Sequence, residues 1–139
     1  MSLRFLPGNY GPGVVVAVPM MTQAGIVLHK GILADGTGWD GYPTVVHNSK
    51  LYGTALETTM TEYARGARGP VRSEGYPGRL PRWRVLQNAR SMLGLPWRLE
   101  QNCEHFVSLA HGLVPNSPQL KAGAGKAALI ALAATLFFL

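Results

Sequence analysis

The stretch Asn102-Cys103-Glu104-His105-Phe106-Val107-Ser108-Leu109-Ala110 holds the chain's single cysteine. Asn102 reads as a helix N-cap, because its short side-chain oxygen can accept from the free N–H groups of a first turn. Phe106, Val107, Ala110 and Leu113 recur at helical spacing and form a stripe for burial. Gly112 and Pro115 end the helix. Cys103 therefore falls in the first turn, where the helix dipole favours a thiolate and backbone N–H groups can receive an oxyanion. A second helix precedes this one. Pro81 sits at a first-turn position, Val85, Leu86, Ala89, Met92 and Leu93 share a face, and Gly94 and Pro96 stop it.

Further upstream the pattern changes from helix to strand. Residues 14–18 are a β-branched run between Gly13 and Pro19. Residues 25–34 give a second strand, closed by the turn dipeptide Asp35-Gly36, and residues 35–43 read as a long loop. Residues 44–48 give a third strand. Thr59-Met60-Thr61-Glu62 is a capping-box pattern that starts a short helix over residues 59–65. Residues 71–76 read as an edge strand. Strands followed by helices predict an α+β domain, a small antiparallel sheet packed against helices.

The chain has 139 residues, 47% of them apolar and 14% charged, with a mean hydropathy of +0.08, which fits one domain and excludes a disordered, solvating chain. One cysteine excludes an intrachain disulfide framework and a thiolate-rich zinc site. The net charge is +6, and eight of the nine arginines fall between positions 65 and 98, where Glu74 is the only acid. Such a stretch suits a solvated basic face, a nucleic-acid surface or attraction to anionic lipid headgroups. Tyr76, Trp83 and Trp97 lack the close interleaving of a nucleic-acid stacking platform, so nucleic acid is not the expected partner.

The two ends point to lipid instead. Residues 1–13 are broken by Pro and Gly and do not read as a signal peptide. Residues 127–139 carry no charge and one polar side chain, Thr135. As a helix these would span about 20 Å; counting from residue 120 gives about 30 Å, the thickness of a hydrocarbon core. Lys121 and Lys126 could snorkel to the interface. The expected organisation is a domain over residues 1–119 and a hydrophobic, membrane-associating tail over 120–139, with a helix docked on the domain as the alternative. Basic flanks place the domain on the cytoplasmic face of the membrane.

A cysteine nucleophile needs a base, and the base needs a group to orient it. His29 lies in the second predicted strand and His47 in the third, and adjacent strands can set both on one face beside a helix N-terminus. Cys103, His29 and His47 are thus the candidate catalytic residues. His105 and His111 share the cysteine's own helix and read as packing or capping residues. The four histidines show no metal-ligand spacing, and no metal or cofactor is expected.

The run Asn102-Cys103-Glu104-His105-Phe106-Val107 resembles the signature of the lecithin:retinol acyltransferase family, including its phospholipase/acyltransferase branch. His29-Lys30-Gly31-Ile32-Leu33 resembles that family's histidine box, and Val45-Val46-His47-Asn48-Ser49 the strand of its second histidine. Pro12-Gly13-Val14-Val15-Val16 is similar to the entry into its first strand. Residues 87–94 are similar to the helix before the cysteine. The apolar tail has a counterpart in membrane-anchored members. The likeness is weakest over residues 51–81. Two departures stand out: a long loop over residues 34–43, with room to carry His47 away from His29, and a short, Arg-rich segment between His47 and Pro81.

The resemblance implies a circularly permuted, papain-like fold of the NlpC type. It implies Cys103 as nucleophile, His29 as general base and His47 as the group orienting it. It also implies a thioester on Cys103, formed with an acyl chain from a phospholipid and passed to water or to a small-molecule acceptor. An NlpC-type amidase or peptidase uses the same three residues, and fold does not fix substrate. A non-catalytic membrane or host-interaction module, like picornaviral proteins with a histidine box and an Asn-Cys motif, is the remaining alternative.

Overall fold

A computed structural model describes residues 3–23 and 25–114. The tail expected over 120–139, with its apolar helix, lies outside the described residues. No helix among the described residues is long and apolar enough to cross a membrane.

The chain begins as a meander of four antiparallel strands, β1 (Val15–Thr22), β2 (Gly25–Thr37), β3 (Pro43–Ser49) and β4 (Thr54–Thr58). A single helical turn follows, α1 (Met60–Tyr63), then the edge strand β5 (Arg72–Gly75) and two helices, α2 (Arg82–Ser91) and α3 (Cys103–Ala110). The sheet order is β4-β3-β2-β1-β5 with every pairing antiparallel, so the molecule is α+β as its sequence predicts.

Alternation along the strands divides the core into two layers. Val15, Ile32, Ala34, Val46 and Ala55 face α2 and α3, where Val85, Leu86, Ala89, Phe106, Val107 and Ala110 cover them. Val14, Val16, Val18, Met20, Leu33 and Val45 point the other way, onto Met60 and Tyr63 of α1 and Val71. Each fully buried side chain of this size contributes roughly 1.5–3 kcal/mol. Covering both faces explains why β1 and β3 read as unbroken apolar runs rather than alternating ones.

Several boundaries differ from the sequence reading. Asp35-Gly36 does not turn. β2 runs through it to Thr37, which pairs with Pro43, and the register slips between Leu33 and Thr37. Arg90 holds Asp35 at 2.8 Å and Glu57 at 3.2 Å, tying this irregular stretch to β4 and α2. The turn itself is short: Gly38 N–H donates to Tyr42 O at 2.9 Å, with Gly41 at φ +82°. β4 carries no strand signal in its sequence beyond Thr54, Leu56 and Thr58. Met92 and Leu93 lie past the end of α2, and Leu93 is exposed, as is Leu113 beyond α3.

The Arg-rich segment is not a uniform basic face. Arg65 pairs with Glu62, Arg72 with Glu74, and Arg90 with Asp35 and Glu57.

Candidate active site

His29 and His47 come from neighbouring strands and share a face. His29 lies opposite Val18 and the next inward residue, Gly31, opposite Val16, so the ring points into the α1 layer. His47 lies opposite Leu56 on β4 and reaches the same layer. The loop after β2 does not carry it away: His29 Nε2 and His47 Nδ1 are 2.9 Å apart. Gly31 makes this approach possible. A Cβ there would stand 2.5 Å from Val45 Cγ1 and 3.3 Å from His47 Cβ.

One arrangement of the protons in this pair satisfies every contact together. Thr58 Oγ1 donates to Thr59 O at 3.1 Å, so it accepts from His47 Nε2 at 3.0 Å. His47 then carries its proton on Nε2, and its Nδ1 accepts from His29 Nε2–H. In that arrangement the second nitrogen of an uncharged His29, Nδ1, is an acceptor. Burial, with His29 nearby, holds the His47 pKa well below the usual histidine value, which keeps His47 itself neutral. Tyr63 braces both rings, with centroids 5.2 Å from His29 and 5.0 Å from His47. Its hydroxyl donates to His29 O at 2.5 Å and also lies 3.2 Å from Val16 O.

Cys103 arrives from the opposite layer, as the first residue of α3. Asn102 caps that helix: Oδ1 accepts from Glu104 N at 2.9 Å and His105 N at 3.1 Å. Nδ1 of His105 returns the favour, accepting from Asn102 N at 3.2 Å, so His105 is a capping residue, as its position predicts. His111 is also structural; it is buried with Nε2 2.7 Å from Gly13 O.

The last β2–β3 pair toward the β1–β2 turn is Ile32 with Val46. Beyond it the Cys103 thiol docks on the β2 backbone. The sulfur lies 4.0 Å from Leu28 O, and the Lys30 N–H is directed at it. These two residues flank His29, so the nucleophile candidate sits on the segment that carries the base candidate. Asn48, the residue after His47, donates to Gln101 O at 2.8 Å and fixes the loop leading into Cys103.

The electrostatics overturn one expectation. Cys103 is 3% exposed, and burial pushes its thiol up to about 12, with the Glu104 charge adding to the rise. The N–H groups of Lys30 and Cys103 and the Lys30 charge oppose this but do not win. The resting group is a thiol, not the thiolate that a first-turn position suggests. The N–H groups of Glu104 and His105 are also committed to the Asn102 cap, which leaves those of Cys103 and Lys30 beside the sulfur.

A cavity of about 230 Å³ lies next to this helix, lined by Val15, Lys30, Glu74, Glu104, Val107 and Ser108 among others. Among the described residues no three His, Cys, Asp or Glu side chains gather in a way that could hold a metal ion. Thr58, Tyr63 and Asn48 complete the site and have no local sequence signal. Compared with known protein families and with curated proteins, the chain matches no family model and no curated protein.

Proposed function

We propose that the protein is a cysteine-dependent phospholipid acyl hydrolase or acyltransferase, built on a permuted, papain-like arrangement of the NlpC type. The observation that carries this reading is the directed chain Thr58–His47–His29, which presents His29 Nδ1 as a base on the strand segment that holds the Cys103 thiol. In the first half-reaction Cys103 S–H gives its proton to His29 Nδ1 and the sulfur attacks an ester carbonyl. The tetrahedral intermediate expels the lysophospholipid oxygen, which takes the proton back from His29, and a thioester remains on Cys103. Water or a small amine or alcohol then attacks the thioester. His29 takes the acceptor's proton and returns it to the departing sulfur, releasing fatty acid or acylated acceptor. The neutral resting thiol fits this order, because it needs a base at the moment of attack.

Lipid as the acyl donor is supported by the end of the sheet where Cys103 docks. In an antiparallel meander the β1–β2 and β3–β4 turns fall at one end. Those turns expose Met21 and Ile26, which pair across the first, and Leu51 and Tyr52 on the second. The loop before Cys103 joins them, since Trp97 N–H donates to Gly53 O at 2.9 Å. Exposed apolar side chains at this end of the sheet suit a bilayer interface.

The test is fatty-acid release from phosphatidylcholine vesicles. Wild type should release it, and Cys103→Ala and His29→Ala should not; release by Cys103→Ala would end this reading. The burial of Cys103 favours a second one, a non-catalytic membrane-interaction module with an inert thiol. That reading predicts vesicle binding with no release by any variant.

A further inference from the structure

Lys30 directly follows His29, and Glu104 directly follows Cys103. Their side chains meet: Lys30 Nζ is 3.4 Å from Glu104 Oε2, and the same ammonium is 3.0 Å from Glu74 Oε1. Glu104 is 3% exposed and Lys30 17%, so this is a mostly desolvated pair rather than a surface one. Glu74 is held in turn by Arg72 at 2.7 Å. The four charges form a chain from β5 across to β2 and on to α3, and α3 carries the cysteine. Burial works against the charge on Lys30, but the two carboxylates outweigh it and raise its pKa. Phe106, Val107 and Ala110 supply the apolar contact of α3.

We infer that the Lys30–Glu104 ion pair is a positioning clamp, which holds the Cys103 turn of α3 in fixed register against the His29 segment of β2. The inference rests on the catalytic reading above for its consequence, though its geometry does not. Each partner adjoins a candidate catalytic residue, so the pair spans the one distance on which proton transfer from sulfur to His29 depends. Attack geometries are steep functions of position, and a 1 Å misplacement costs on the order of 100-fold in rate. The pair also sets the charge beside the sulfur, with the Glu104 carboxylate disfavouring a thiolate and the Lys30 ammonium favouring one.

Two variants of the full chain test this. Glu104→Gln keeps the shape, leaves Lys30 its Glu74 partner and removes the carboxylate beside the thiol. We expect its alkylation by iodoacetamide at pH 8 to rise about tenfold, one pKa unit of thiolate. Its rate of acyl-adduct formation with phosphatidylcholine vesicles should fall at least about tenfold. Opposite movement of the two rates is the mark of a clamp, because a more reactive thiol is then a less productive one. Lys30→Met/Glu104→Met removes both charges at once, a replacement that buried ion pairs commonly tolerate. It should keep the wild-type melting temperature within a few degrees and lose acyl-adduct formation about tenfold or more. Wild-type adduct rates in that folded double variant, or a parallel rise of both rates in Glu104→Gln, would overturn the clamp. If wild type forms no adduct, the catalytic reading fails on its own. The clamp is then read by alkylation of the double variant, where both charges are gone: a rise of about tenfold as the buried thiol loosens supports it, and a wild-type rate overturns it.

Discussion

His29 Nε2 stands 2.9 Å from His47 Nδ1, and the Thr58 hydroxyl, 3.0 Å from His47 Nε2 on the far side, lets His29 keep its proton on Nε2. A base that must act through Nδ1 has to keep its own proton on Nε2. Buried His47 on β3 and half-buried Thr58 on β4 allow that tautomer with no charge, so in the proposed mechanism His47 orients His29 as a neutral acceptor rather than as a carboxylate would.

Removing the acceptor should therefore cost rate more than stability. His47→Phe keeps an aromatic ring but strips both nitrogens, and acyl transfer should fall about 100-fold or more. Thr58→Val acts one step further out. It strands the His47 Nε2–H in a buried place, costing roughly 1–3 kcal/mol, and should slow acyl transfer by only about tenfold. Steady-state rates and urea unfolding on the same samples give both numbers. Equal rate losses in the two variants would contradict the ordered chain.

Gly31 leaves no room for a side chain beside the two histidines. Gly31→Ala sets a methyl 2.5 Å from Val45 Cγ1 and 3.2 Å from Tyr63 Cε1. The strands must part, at about 1–3 kcal/mol. The histidine contact should lengthen with them, visible as a changed His29 imidazole signal in NMR spectra. Val45→Ala in the same chain opens the tightest contact and should recover part of the loss.

Acid should destabilise the domain through its buried histidines. Burial lowers the pKa of His47, aided by His29, and that of His111, against the pull of Gly13 O. In the unfolded chain both return to about 6.5. Their contribution is complete above that value and is lost as pH falls below it toward the folded pKa, since the unfolded state then binds more protons. Each histidine adds a slope of up to about 1.4 kcal/mol per pH unit. Urea midpoints should be flat from pH 8 to 7 and fall from pH 6.5 to 5. A domain equally stable at pH 5 and pH 8 would contradict this.

Much of this arrangement is legible in the sequence, for a physical reason. The Asn102 cap, the Thr59 cap, Pro81 and the runs of valine are local signals, and local signals place α3, α1, α2, β1 and β3. Failures came where a long-range partner decides. Asp35-Gly36 reads as a turn, yet Arg90 from α2 and the Pro43 pairing hold it in strand. β4 has little propensity of its own and exists because β3 offers it an edge from Val45 to Ser49. The thiol shows the same limit: the helix dipole is a local property and burial is a tertiary one, and here burial wins. Thr58 and Tyr63 are site residues only because β4 and α1 bring them to the histidines.

Contact with a bilayer should involve the two hairpin turns near Cys103. Ile26→Asp with Leu51→Asp places charges on exposed positions, so the fold should be unaffected. Fatty-acid release from vesicles should drop about tenfold or more while cleavage of a soluble short-chain ester is unchanged, since burying an aspartate at an interface is costly. Equal losses on both substrates would contradict an interfacial role for these turns.

The most direct test of the central claim is the intact mass of the protein after incubation with phosphatidylcholine vesicles, beside Cys103→Ala. A cysteine acyl-enzyme predicts a mass gain of one fatty acyl group on the wild type, removed by hydroxylamine and missing from the variant. An unchanged wild-type mass, with no fatty acid released, would contradict it.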